Sequence, residues 1–111
     1  MKKLSRTTQI PPREIVRWFK KGTLLLTRKL SLLNELGACC QNGDDPQKEG
    51  EKFLLKTLKD RGKKMRMQAY YNLANQPNDK HFEVLAQFRT EPRNTCLLTR
   101  IDRLLDGQDI A

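Results

Sequence analysis

Few groups in this chain are equipped for covalent or acid–base chemistry. Histidine occurs once, as His81. A histidine acting as a base needs a nucleophile and an orienting carboxylate, and no spacing around His81 supplies them. Of the three cysteines, Cys39 and Cys40 are adjacent and Cys96 is remote. Adjacent cysteines point in different directions in most backbones, and a four-ligand zinc site would have to draw Cys96 and His81 from distant segments. The glycine patterns that cradle phosphates or dinucleotides are absent. Asp44, Asp45, Glu49 and Glu51 read as a solvated loop rather than a paired acid/base site. Catalysis is therefore the least supported class, and no cofactor or metal is expected.

What remains is charge. The chain has 22 Lys and Arg against 13 Asp and Glu, a formal excess of +9. Such an excess selects acidic partners: nucleic acid, an anionic membrane surface or an acidic protein face. The charge falls in blocks. Residues 1–36 carry +7, 37–51 carry −3, 52–66 carry +6 and 67–111 carry −1. Two basic stretches separated by an acidic loop predict a single cationic face, provided the fold brings them together.

The elements that must do so read as helices. The 111 residues make one domain, 37% apolar and 32% charged, so the core is economical. No segment alternates apolar and polar residues as a strand would. Pro11-Pro12 opens a short helix carrying Ile15, Val16, Trp18 and Phe19, which Gly22 stops. A second runs over 23–36, with Gly37 as its C-cap. Residues 37–46 read as a loop, after which Asp45 caps a helix and Pro46 occupies its first turn. Phe53, Leu54, Leu55 and Leu58 form that helix's buried face, and Asp60-Arg61-Gly62 ends it. Met65, Met67, Tyr70, Tyr71 and Leu73 follow on a helix from Lys63 that breaks at Asn75-Gln76-Pro77. Asn78 or Asp79 caps a helix with Phe82, Val84, Leu85 and Phe88, and Leu97 to Leu105 make the last. Each is too short to be stable alone, so packing must hold them. The fold class is all-α: a compact bundle of about six short antiparallel helices, with 1–10 and 107–111 frayed.

No apolar run reaches the roughly 18 residues of a membrane span, and the polar stretch 5–9 stands where a signal peptide would carry its apolar run, so none is expected. The expectation is a cytoplasmic protein, with the nucleus as the alternative, and reduced cysteines suit both. The leucines at 24–26 read as core rather than as a membrane-surface stripe.

One stretch resembles a known family. Residues 53–64, FLLKTLKDRGKK, resemble the end of the fourth helix and the following turn of caspase-recruitment domains of the death fold. The aromatics Tyr70 and Tyr71 follow, as in that family's next helix. Upstream, residues 15–24, IVRWFKKGTL, resemble its second helix and the glycine introducing the third. The resemblance covers about residues 14–88. It implies a death-fold-like bundle that assembles with a homotypic domain, a basic face meeting an acidic one. By charge position the basic face is Arg17, Lys20, Lys56, Lys59, Arg61, Lys63, Lys64 and Arg66. Asp44, Asp45, Glu49 and Glu51 are the acidic counter-face. The lopsided charge makes this chain the basic side of such a pair, as adaptor or decoy. The alternative is a small helical nucleic-acid-binding or transcription-regulatory protein of viral or plasmid type. It would grip the phosphate backbone through the same residues together with Arg13 and Lys21.

Overall fold

A computed structural model describes residues 10–76 and 80–106, and every regular element among them is helical. The expected frayed segments 1–9 and 107–111, and the caps expected at Asn78 or Asp79, lie outside the described residues. Ile10 does not belong with the frayed end, because it packs on the core.

The first helix, α1, spans Pro12–Lys21. Pro12 sits where a missing N–H costs nothing, and Gly22 ends the helix at φ 72°, donating its N–H to the Phe19 carbonyl. Helix α2 spans Leu26–Asn42, which corrects the expected 23–36. Its C-cap is Gly43, at φ 75°, and not Gly37. Gly37 lies inside the helix, buried against the Asn72 side chain. A Cβ built there would fall 2.9 Å from Asn72 Cβ and closer still to the rest of that side chain. A glycine that looks like a stop in sequence is here a packing notch, accepted despite its cost of about 1 kcal/mol in helix propensity. The loop expected at 37–46 accordingly shrinks to 43–48.

Helix α3 spans Glu49–Thr57. Asp45 caps it, but from four residues upstream: its carboxylate accepts from the Gly50 N–H at 3.0 Å and the Glu51 N–H at 3.0 Å. Pro46 therefore lies in the linker and not in the first turn. Helix α4 spans Lys63–Ala74 and α5 spans Phe82–Thr90. A 3-10 segment, Pro92–Leu97, leads into α6, Leu98–Leu105. The apolar face expected on α5 is only half right. Phe88 is buried and Leu85 packs beside it, whereas Phe82 is 69% exposed and Val84 is exposed as well.

One cluster joins the helices: Ile15 from α1, Leu32, Leu33 and Leu36 from α2, Leu54 from α3, Met65, Ala69, Tyr70 and Leu73 from α4, Phe88 from α5 and Ile101 from α6. Two ring contacts tie its edges, Phe19 to Phe53 with centroids 4.7 Å apart and Tyr70 to Phe88 at 4.9 Å.

Directions follow from paired contacts. Arg13 meets Glu49 and Phe19 meets Phe53, so α1 and α3 run the same way. Asn34 accepts from Gln68 and Asn72, and Gln41 donates to the Asn75 carbonyl, so α2 and α4 also run together. Short links of residues 22–25, 43–48 and 58–62 make successive helices opposed. The C-ends of α1 and α3 and the N-ends of α2 and α4 therefore meet at one end of the bundle.

The notch at Gly37 yields a direct test. Gly37→Ala forces Asn72 off its bonds to Asn34 and the Gln68 carbonyl. Overpacking of this kind costs about 1–3 kcal/mol, so the melting temperature should drop by several degrees although alanine is the better helix former. An unchanged melt would show that α2 and α4 do not pack this closely.

Candidate functional site

The end where those four helix termini meet is cationic. Lys20 and Lys21 close α1, Arg28 and Lys29 open α2, Lys56 and Lys59 close α3, Arg61 sits in the turn, and Lys63 and Lys64 open α4. All are exposed except Lys29, which is half-buried. Residues 20–30 and 56–64 contain a single carboxylate, Asp60. Its Oδ2 accepts from the Gly62 N–H at 2.9 Å. At this pole the two basic stretches of the sequence converge.

Two residues of the face read in the sequence do not belong to the pole. Arg66 is not part of any exposed face: it is 5% exposed and bound on all sides. Its Nε donates to Asn94 Oδ1 at 2.8 Å, and Nη1 donates to the carbonyls of Asp60 and Arg61, both at 2.9 Å. It ties the α3–α4 turn to the 3-10 segment and so fixes the backbone that presents Lys59, Arg61 and Lys63. A pattern of basic residues cannot reveal this, since only the tertiary approach of Asn94 turns one arginine inward. Arg17 is exposed but belongs to the opposite end. It pairs with Glu14 at 3.3 Å and lines a cavity of about 540 Å³ with Asp44, Asp45, Pro46 and Glu49. In return the pole gains Lys21, Arg28 and Lys29. One signal was available for these: residues 15–34 contain five cations and no carboxylate.

The acidic counter-face is not an open patch. Asp45 is buried at the α3 cap, and Asp44 is half-buried. Glu49 meets Arg13 at 3.4 Å. Glu51, its side chain 15% exposed, lies 3.7 Å from Lys48, 3.2 Å from Lys80 and 3.3 Å from His81 Nε2. These carboxylates hold the 43–48 linker, α3 and the start of α5 together. The molecule is thus charge-polarised, with one cationic end and one end whose charges are largely paired internally.

Residues with chemical potential are quiet. Burial and the nearby Asp45 carboxylate push the Cys40 thiol up to about 12, so it stays protonated at neutral pH and is no nucleophile. Cys39 is buried and Cys96 exposed. No group of three or more metal-ligating side chains assembles among the described residues. No helix among them is long and apolar enough to cross a membrane.

His81 does report on pH. Burial lowers its pKa from the ordinary 6.5, outweighing the attraction of Glu51, and Lys80 and Lys48 push the same way. A folded-state pKa below the unfolded one means that the unfolded chain binds the proton more readily. Stability from this residue is complete above about pH 6.5 and falls away as pH drops through the folded value. Between about pH 7.5 and pH 5.5 the melting temperature should therefore decline, and His81→Gln should flatten that decline. Parallel curves for the two proteins would contradict it.

No protein family, curated protein or solved structure matches this chain. What the molecule offers for a functional reading is its own surface.

Proposed function

We propose that this protein is a non-enzymatic interaction module that docks an acidic partner domain through the cationic pole. The observation that carries the reading is the convergence of four helix ends, with nine exposed or half-exposed cations and one carboxylate. Cations so grouped repel one another and weaken the fold slightly. An acidic partner face relieves that repulsion, raises the encounter rate and selects against basic surfaces. The resemblance of residues 14–88 to caspase-recruitment domains supports a partner that is itself a small helical domain, with this chain as adaptor or decoy. The internal pairing of Glu49 and Glu51 and the burial of Asp45 favour a heterologous partner over a second copy, because the acidic cluster that a copy's pole would meet is engaged within its own fold.

The nucleic-acid reading shares the same charge, and the experiment separates the two. The immobilised full chain is exposed to lysate, and the retained acidic domain is purified and rebound in isolation. A random-sequence duplex is titrated in parallel at low salt. Saturable rebinding of the purified domain, with the duplex bound weakly, supports the protein reading. Tight duplex binding with a steep salt slope, lost when Lys63 and Lys64 are neutralised, overturns it.

A further inference from the structure

The loop at the centre of the pole holds a feature that an acidic protein contact does not require. Gly22 terminates α1 and Leu24 packs on the core, so the link is anchored at both ends. Between the anchor and the first turn of α2, Leu25 is 76% exposed and Leu26 is 43% exposed. The reading of these leucines as core holds only for Leu24. Leu25 is in extended backbone at the N-cap of α2, at the tip of the link. Lys20 and Lys21 flank it on one side, Arg28 and Lys29 on the other, with no carboxylate anywhere from residue 15 to 34.

We infer that this tip is a docking device for an anionic lipid surface, with Leu25 and Leu26 entering the headgroup–acyl boundary while the four cations sit at the lipid phosphates. Each half of the arrangement is incomplete without the other. Exposed leucines in water lose free energy that burial in acyl chain returns. Lysine and arginine carry aliphatic stems that lie along an apolar surface while their charged heads stay in the wet headgroup layer. A negative leaflet draws such basic segments to its surface, and carboxylates nearby would cancel the attraction. Nucleic acid would use the cations and leave the leucines stranded, since a phosphate backbone gives an aliphatic side chain nothing to bury against. The inference goes beyond the partner-docking reading: it shares the cations of α1 and α2 with that reading and adds Leu25 and Leu26. The tip belongs to α1 and α2, whereas Lys56, Lys59 and Arg61 belong to α3 and its turn.

The test is co-sedimentation of the full chain with two vesicle preparations: phosphatidylcholine alone, and phosphatidylcholine with about 30% phosphatidylserine. The expected result is binding to the second and not the first, weakened by added salt. Leu25→Ser with Leu26→Ser should weaken it by about tenfold or more, while the melting curve stays as in the parent, because both side chains are exposed. Lys20→Glu with Lys21→Glu should weaken it comparably. Failure to bind the anionic vesicles overturns the inference. So does binding that survives the leucine substitutions, which would be adsorption by charge alone. Tighter binding to a random-sequence duplex than to the anionic vesicles, at equal phosphate, overturns it in favour of nucleic acid. The outcome is distinguishable from that of the partner reading, because Leu25→Ser with Leu26→Ser removes only the lipid contact and the Lys56, Lys59 and Arg61 variants report on the partner.

Discussion

Replacing Lys56, Lys59 and Arg61 together with glutamate is expected to abolish capture of the acidic partner without unfolding the protein. All three side chains are exposed and lie at the cationic pole. Each exposed ion pair contributes at most about 1 kcal/mol, so three lost pairs weaken binding by up to about 3 kcal/mol, on the order of a hundredfold at most. Reversal also replaces attraction with repulsion, which adds to that loss. Because these contacts act on encounter, the association rate should fall first and the effect should shrink as salt rises. Removing three cations from a self-repelling pole should leave the melting temperature unchanged or raise it. Arg13→Glu, a single reversal of the same kind at the opposite end, is the control, and its effect on binding should be small. Unchanged capture by the triple variant would remove this face from consideration.

Arg66 should give the largest stability effect in the chain. Its guanidinium fork serves Asn94 Oδ1, two carbonyls of the α3–α4 turn and, at 3.4 Å, the Arg93 carbonyl. Asn94 is 0% exposed and its own amide donates to the Phe88 carbonyl and to Glu91 Oε1, so its Oδ1 has no route to water. Arg66→Met leaves that oxygen and the turn carbonyls without donors, for a loss of about 3–5 kcal/mol in chemical denaturation. Against a total stability of about 5–15 kcal/mol this brings the protein near the threshold of folding. Arg66→Lys keeps the charge but not the fork, and should recover only part of the loss. A loss below about 1 kcal/mol for the methionine variant would mean that the tie does not hold the turn.

Most of the helical architecture was legible in the residues. The proline–glycine brackets of α1, the break at Asp60-Arg61-Gly62 and the start of α4 at Lys63 are local signals, and each acts locally. Gly37 was misread for the opposite reason. Its sequence context is that of a stop, but its role is set by Asn72 thirty-five residues away. Asp45 was legible as a cap and not as a buried one, since its reach over four residues depends on Lys48 taking a left-handed φ of 61°. The charge blocks forecast a single cationic surface, yet membership turned on helix direction, which placed Arg17 at the far end and brought in Lys21, Arg28 and Lys29. Burial of Arg66 and exposure of Leu25 were hidden because both depend on what the rest of the chain does or does not cover.

The central claim is that the cationic pole, and no other surface, meets the partner. Amide chemical-shift mapping of the labelled full chain titrated with the captured acidic domain tests it most directly. Shifts confined to residues 20–21, 28–29 and 56–64 are the predicted result. Shifts centred on the opposite end, around Arg13, Arg17 and the 43–48 linker, would contradict it.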